Sequence, residues 1–475
     1  MKFDLRRKTK IVCTLGPATE SAQMIERLIR AGMNVARINM SHGDDAQHVA
    51  MILAVRETAK KLEAPVAILL DLPGPRYRTG EISDGQVILR KGSQLVLTSR
   101  SVPGDRKEVS VNMPELMRDV SAGDAILLDD GAIRLVVKST ADMDVICRVT
   151  QGGILRPRRG IAIPGVKMSA PYVSDVMQRQ LKLAASYQVE YIALSYVSRA
   201  GDISQVRSVL EEARAAPMII AKIERREAVR KFDSILKVSD GIMVARGDLG
   251  VDITLEKVPV VQKQSIRKCN RWGKPVITAT QMLESMIKAP SPTRAEVADV
   301  ANAIWDGTDA VMLSAETAVG SYPAEAVAMI RRIARETEAA LPYERRLANR
   351  GSDLEPHTND AIAYDACRTA QQLDVHSIVA FTESGSTAWR VCKYRPRVPI
   401  LALTPNDTVQ RKLMLGWGIY PCLMPSAASV DDLFAMGSNL ARDVGAAKEG
   451  DLVVIVGGVP IGVPGTTNLL KVERV

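Results

Sequence analysis

Short apolar runs rich in β-branched residues alternate with segments whose apolar positions recur at helical spacing, and the alternation starts at the N-terminus. TKIVCTLG (9–16) predicts a strand and MIERLIRAG (24–32) a helix closed by a glycine. NVARINMS (34–41) predicts a second strand, 45–62 a long helix and VAILLD (66–71) a third strand. The pattern then breaks. From 73 to 169 short strand-like pieces follow one another with turns and almost no helix, among them QVILRKG, QLVLTS, AILLDDGAIRLVV and VICRVTQGG. This predicts an inserted β-domain.

Helix and strand alternate again from 175–187. YIALSYV (191–197), MIIAKIE (218–224), GIMVARGD (241–248), PVITAT (275–280) and AVMLSAE (310–316) predict strands four to eight, with helical segments between them and a helix over 323–340. Eight strands joined by helices, with one excursion after the third, predict a (β/α)8 TIM barrel carrying an inserted small β-barrel lid domain. Counting strands cannot show closure, and a doubly wound open sheet is the alternative. Beyond the polar, linker-like LPYERRLANRGSDLEPHTND (341–360) a second α/β unit begins, with SIVAFT, PILALT, GIYPCLM and DLVVIVGG as its strands. The predicted organisation is 1–72 and 170–342 for the barrel, 73–169 for the lid and 343–475 for a C-terminal α/β domain.

Composition narrows the classes. At 475 residues, 46% hydrophobic and 25% charged, the chain has the make-up of a multidomain globular protein. No apolar run reaches the ~18 residues of a membrane span, and the basic N-terminus is not followed by a signal-peptide core. The six cysteines are scattered without a C-x-x-C, which suits reduced thiols and a cytoplasmic location. The net charge of +9 raises nucleic acid as a partner, but aromatics are only 4% and acids interleave with the basic residues. An anionic small-molecule substrate fits that balance better.

Barrels of this kind carry their chemistry at the carboxyl ends of the strands. Those ends read Arg37, Asn39 and Ser41, then Asp71, Ser195, Lys222 with Glu224, Arg246 with Asp248, Thr280, and Ser314 with Glu316. Several are i, i+2 pairs, which point the same way on a strand. A structural ion-pair layer competes as the explanation for any one pair; a ring of them is costly to bury for folding alone. Glu224 and Asp248 supply hard oxygen ligands for Mg2+ or Mn2+. Arg37, Lys222 and Arg246 supply fixed positive charge for phosphate or carboxylate. Only four histidines occur, with no H-E-x-x-H, and G-x-S-x-G, P-loop and G-x-G-x-x-G patterns are missing. A Mg2+-dependent reaction of a small phosphorylated anion remains, governed by positioning and charge neutralisation.

The blocks TKIVCTLGPAT, GMNVARINMSHG, AKIERREAV, SDGIMVARGDLGV, GKPVITATQMLESM, PTRAEVADVANAIWDGTDAVMLSAET and KYRPRVPI resemble those of the pyruvate kinases, in that family's order and over nearly the whole chain. The resemblance implies phosphoryl transfer from phosphoenolpyruvate to ADP, giving pyruvate and ATP. It also implies a mobile lid, a regulatory role for the C-terminal domain and a homotetramer; nucleic-acid and membrane partners are already disfavoured by the composition. Lys222 then stabilises the transferring group and the enolate, while Arg37 holds the phosphate. Glu224 and Asp248 bind the metal. Gly247, Asp248 and Thr280 seat the carboxylate, and Thr280, Ser314 and Glu316 lie on a water-mediated proton path. Asn39, His42 and Arg78 resemble the nucleotide side. An anionic phosphorylated effector is implied at TESGSTAW, through Thr382, Ser384, Gly385, Ser386 and Thr387; plain helix capping is the alternative.

Two departures stand out. The family's [ST]-E-K-D becomes Ser174-Asp175-Val176-Met177, which removes a lysine from the nucleotide side. Its D-T-K-G-P-E-I-R-T-G becomes DLPGPRYRTG, with Arg76 replacing a glutamate and Arg78 kept. In potassium-dependent members the residues matching Asn39, Ser41 and Asp71 hold K+ beside that glutamate. Arg76 in this monovalent-cation region therefore predicts activity without K+. Two other readings compete: a regulatory binding protein that kept the fold without turnover, and a Mg2+ aldolase or lyase on the same barrel.

Overall fold

The computed structural model describes residues 4–463 and 465–475. Eight strands form the expected barrel: β1 (Lys10–Thr14), β2 (Val35–Asn39), β3 (Ala67–Leu72), β4 (Tyr191–Leu194), β5 (Met218–Ile223), β6 (Gly241–Ala245), β7 (Val276–Ala279) and β8 (Ala310–Leu313). They pair in parallel in chain order, and β1 pairs with both β2 and β8. The ladder is closed, which removes the open-sheet alternative.

Side-chain parity explains where the polar residues go. One face of every strand joins a single cluster that includes Val12, Val35, Leu69, Ala193, Ile220, Met243, Ile277 and Met312. This is the barrel interior; the opposite faces pack under the helices. Full burial of one such aliphatic side chain contributes roughly 1.5–3 kcal/mol. Two steps on from these positions the same inward parity presents Arg37, Asp71, Ser195 and Lys222, so a charged layer lies directly above an apolar floor.

The inserted segment, expected as a small β-barrel, consists of a seven-stranded sheet and a two-stranded ladder around one apolar core. The sheet begins with Tyr77–Arg78, which pairs antiparallel with Gly160–Ala162, so entry and exit of the insert lie side by side. The connection is tight: a Cβ at Gly74 would lie 2.8 Å from the Ser195 carbonyl carbon. Glycine between Pro73 and Pro75 lets the chain leave β3 against the end of β4.

The C-terminal unit is a five-stranded sheet of β9 (Ser377–Phe381), β10 (Ile400–Thr404), β11 (Ile419–Leu423), β12 (Leu452–Gly458) and β13 (Thr467–Arg474), in the order β11-β10-β9-β12-β13. The last strand is antiparallel to β12; its polar sequence TNLLKVER gives no strand signal strong enough to predict it. Within the linker-like stretch, Tyr343–Arg350 is helical, because Tyr343 and Leu347, one turn apart, pack on the C-terminal core. Met414 and Leu415 of the C-terminal unit complete the apolar cluster of the barrel interior. No helix among the described residues is long and apolar enough to cross a membrane.

Candidate active site

At the centre of the charged layer sits Asp71, only 2% exposed. Its Oδ2 accepts from Arg37 Nε at 2.8 Å, and Oδ1 accepts from Lys222 Nζ at 3.1 Å and Ser195 Oγ at 3.2 Å. Lys222 Nζ also lies 2.8 Å from Glu224 Oε1. The other Glu224 oxygen accepts from the Tyr196 amide at 2.6 Å. Arg37, Asp71, Lys222 and Glu224 thus form one buried chain of alternating charge.

Burial works against each of these charges, and the neighbours decide the outcome. Burial alone would depress the Lys222 ammonium, but Asp71 and Glu224 outweigh it and hold its pKa above the ordinary lysine value. Burial would raise Asp71, yet Lys222 and Arg37 hold it below the usual carboxylate range. For Glu224 burial prevails. With the added repulsion of Asp248, it keeps the carboxyl above its ordinary value despite Lys222. Glu224 and the neighbouring Asp248 are a fitting pair of oxygen ligands for a divalent ion, substrate and water oxygens filling the other positions. No cluster of three or more potential metal-binding side chains exists among the described residues.

The layer opens into a cavity of about 740 Å3 between the barrel and the insert. Arg37, Lys222, Glu224, Asp248 and Ser195 line its barrel side, with Asn39, Ser41 and His42 at the end of β2. Arg76 and Arg78 line it from the insert, and Val176, 47% exposed, stands where the family's lysine was expected. Arg78 is pinned by its own amide on Asn112 Oδ1 at 2.8 Å. Ser174 caps the helix Asp175–Ser186, accepting from the Met177 amide.

Other predicted residues are placed differently. Arg246 was expected to face the substrate; β6 ends at Ala245 and a helix begins, so strand parity no longer applies. Its guanidinium turns away to Asp299 at 2.6 Å and to the carbonyls of Thr280 and Gln281 at 2.6 and 2.9 Å, clamping a turn whose two residues have φ of 66° and 54°. Thr280 Oγ1 accepts from the Gly247 amide at 2.9 Å and donates to the Ala279 carbonyl at 2.6 Å. Glu316 is buried, its oxygens accepting from the Ser314 and Leu283 amides at 2.7 and 3.1 Å, and neither Ser314 nor Glu316 lines the cavity.

Arg76 does not join Asn39, Ser41 and Asp71. Its Nη2 donates to Asp130 Oδ1 at 2.8 Å, its Nη1 lies 3.8 Å from Asp248 Oδ1, and the guanidinium sits 5.3 Å from the centre of the Tyr196 ring. Tyr196 is a residue the strand-end reading missed. It follows Ser195 at a φ of 58°, holds Glu224 through its amide, and lies 3.4 Å from Asp248 through its hydroxyl. Its place one residue past Ser195, at the carboxyl end of β4, was the available signal.

A second, small cavity of about 50 Å3 lies where β9 and β12 run into their loops, lined by Thr382, Ser386, Thr387, Thr404, Ser426 and Thr466 among others. Gly385 at φ 91° begins the helix Ser386–Lys393 without a side-chain cap. Thr387 Oγ1 pairs with Thr467 Oγ1 at 2.7 Å, and the buried Thr382 Oγ1 has no partner among the described residues.

This architecture matches known proteins along its length. The family model of the pyruvate kinase barrel domain matches residues 6–327, and that of the pyruvate kinase alpha/beta domain matches 360–473. The pyruvate kinase of Geobacillus stearothermophilus is 47% identical over 472 residues, 99% of this chain and 80% of the relative. That of Staphylococcus aureus (strain MRSA252) is 46% identical over 471 residues, with the same two coverages. A solved pyruvate kinase from Cryptosporidium parvum superposes with a TM-score of 0.94 at 37% identity, covering 100% of this chain and 98% of its own. Matched by both family models and at 47% identity over nearly its whole length, the chain belongs to the pyruvate kinase family of phosphotransferases.

Proposed function

We propose that the chain transfers phosphate from phosphoenolpyruvate to ADP with Mg2+ or Mn2+ held by Glu224 and Asp248, without needing K+. The observation that carries this is the buried chain Arg37–Asp71–Lys222–Glu224 beneath a cavity flanked by Asp248. Arg37 and Lys222 present preorganised positive charge to a phosphate, and Asp71 fixes both without being exposed. Lys222 holds the transferring group and then the enolate oxygen. The divalent ion supplies charge neutralisation on substrate oxygens when bound. Gly247 and Thr280 flank the carboxylate, and a water beside Thr280 delivers the proton to the enolate, with Glu316 fixing the Ser314 turn nearby. Asn39, His42 and Arg78 take the nucleotide. The insert, 73–169, closes as a lid on the barrel of 1–72 and 170–342, in a homotetramer.

Independence from K+ is supported by the extra guanidinium in the cavity. Arg76 lines the cavity on Asp130, Asp248 and Tyr196 and does not join Asn39, Ser41 and Asp71, so it acts on the common field rather than in the place of the ion. The C-terminal unit, 343–475, takes an anionic phosphorylated effector at Thr382–Thr387. The sheet order reverses at β9, which is where ligands gather in such sheets. The buried Thr382 hydroxyl and an uncapped helix start favour this over plain capping.

A lactate-dehydrogenase-coupled assay with phosphoenolpyruvate and ADP tests the reading. Turnover in sodium- and potassium-free buffer, rising less than tenfold on adding K+, is expected. Sugar phosphates or nucleoside monophosphates should shift the substrate midpoint. No turnover under any condition would leave a binding protein. Glu224→Gln is expected to weaken Mn2+ binding by at least tenfold, because it removes one of two charged ligands; an unchanged titration midpoint would make Glu224 structural.

A further inference from the structure

Arg76 is set into a seat built from both sides of the cavity. On the insert side, Asp130 is offered by the turn between the strands Ala125–Leu128 and Ile133–Thr140. Both Asp129 and Asp130 are left-handed there, at φ of 50° and 53°, a conformation that costs energy for residues other than glycine. Gly160 lies flat against the guanidinium: a Cβ at that position would come within 2.6 Å of Arg76 Cζ. On the barrel side are the Tyr196 ring and the Asp248 carboxylate. Only 20% of the Arg76 side chain is exposed, although it sits just past a hinge of two prolines.

We propose that Arg76 is a latch tying the insert to the barrel, and that it shares Asp248 with the divalent ion, so that metal occupancy and latching oppose one another. This rests on the reading of Asp248 as a metal ligand. A carboxylate oxygen 3.8 Å from a guanidinium and also bound to a dication brings the two cations together. Each therefore weakens the other's hold, and the effect is reciprocal. Asp130 and Tyr196 keep Arg76 in place when Asp248 is taken, so the latch loosens rather than swinging free. Arg76 is a positioning residue: it acts on the reaction through Asp248 and through closure of the cavity.

The test uses the full chain without substrates. Mn2+ binding is followed by electron paramagnetic resonance, and amide exchange of residues 74–79 and 160–163 is measured with and without Mn2+. Arg76→Met is expected to bind Mn2+ about fivefold more tightly, the effect of losing one partly exposed charge contact, and to exchange faster at the hinge. In the parent protein Mn2+ should speed hinge exchange; in Arg76→Met it should not. Gly160→Ala, which keeps the charge but crowds the seat, should reproduce both changes. An unaltered Mn2+ midpoint in Arg76→Met, or hinge exchange indifferent to Mn2+ in the parent protein, overturns the latch. Failure of the parent protein to bind Mn2+ at all would instead remove the metal assignment on which it stands.

Discussion

Lys222→Ala is expected to lower turnover by ~10²–10³, the cost of deleting one preorganised contact to charge that develops in the transition state. The ammonium is held by Asp71 and Glu224 at 3.1 and 2.8 Å, so it reaches the reacting group without reorganising. Its pKa is raised, and it stays charged across the range in which the enzyme is assayed. The variant also leaves two buried carboxylates with one fewer partner, so its melting temperature should fall. Separating the two effects requires kcat on protein shown folded by circular dichroism. Near-parental kcat in a folded variant would sink the assignment.

Asp71→Asn is expected to act on stability and turnover together. The substitution keeps the shape but leaves Arg37 and Lys222 without their shared counter-ion, and breaking a buried pair in this way costs about 3–5 kcal/mol. The same pairing fixes a pH dependence. Because the folded pKa of Asp71 lies below its unfolded value, the stability it contributes is fully present above about pH 4 and is lost as pH falls through the lower folded value. Melts between neutral pH and pH 3 should therefore show a steeper acid loss in the parent protein than in Asp71→Asn. Parallel acid profiles would mean that Asp71 is not held as an anion by its two cations.

Strand existence was legible because each barrel strand is buried on both faces and reads as a continuous apolar run, as VAILL does before Asp71. Closure was not, since it depends on the pairing of β1 with β8, which no local pattern encodes. The same division holds within the site. Arg37, Lys222 and Glu224 fell where parity put them, because β2 and β5 run straight up to the charged layer. Arg246 fell elsewhere because β6 stops one residue before it. Arg76 is five residues from Asp71 in sequence, but Leu72 ends β3 and the Pro73–Pro75 turn carries the chain over the cavity, so proximity along the chain placed it on the wrong wall. Asp130 and Gly160 gave no signal at all, being ordinary turn and strand residues until the insert folds back.

Met414 and Leu415 fill the lower end of the barrel interior, and the contact is reinforced around the rim. Arg395 meets Asp309 at 2.8 Å, Arg411 meets Glu190 at 2.6 Å, and the Tyr191 hydroxyl bonds the Lys412 carbonyl. The catalytic barrel is therefore unfinished by itself: its floor is borrowed from the unit that follows it. Cutting the chain after the barrel would uncap an apolar well rather than release a minimal enzyme, so truncation cannot be used to ask whether catalysis needs the C-terminal unit. Evolution faces the same restriction. The two units can drift in surface and ligand, but the residues plugging the well must change in step with those lining it, as at an obligate interface folded into one chain.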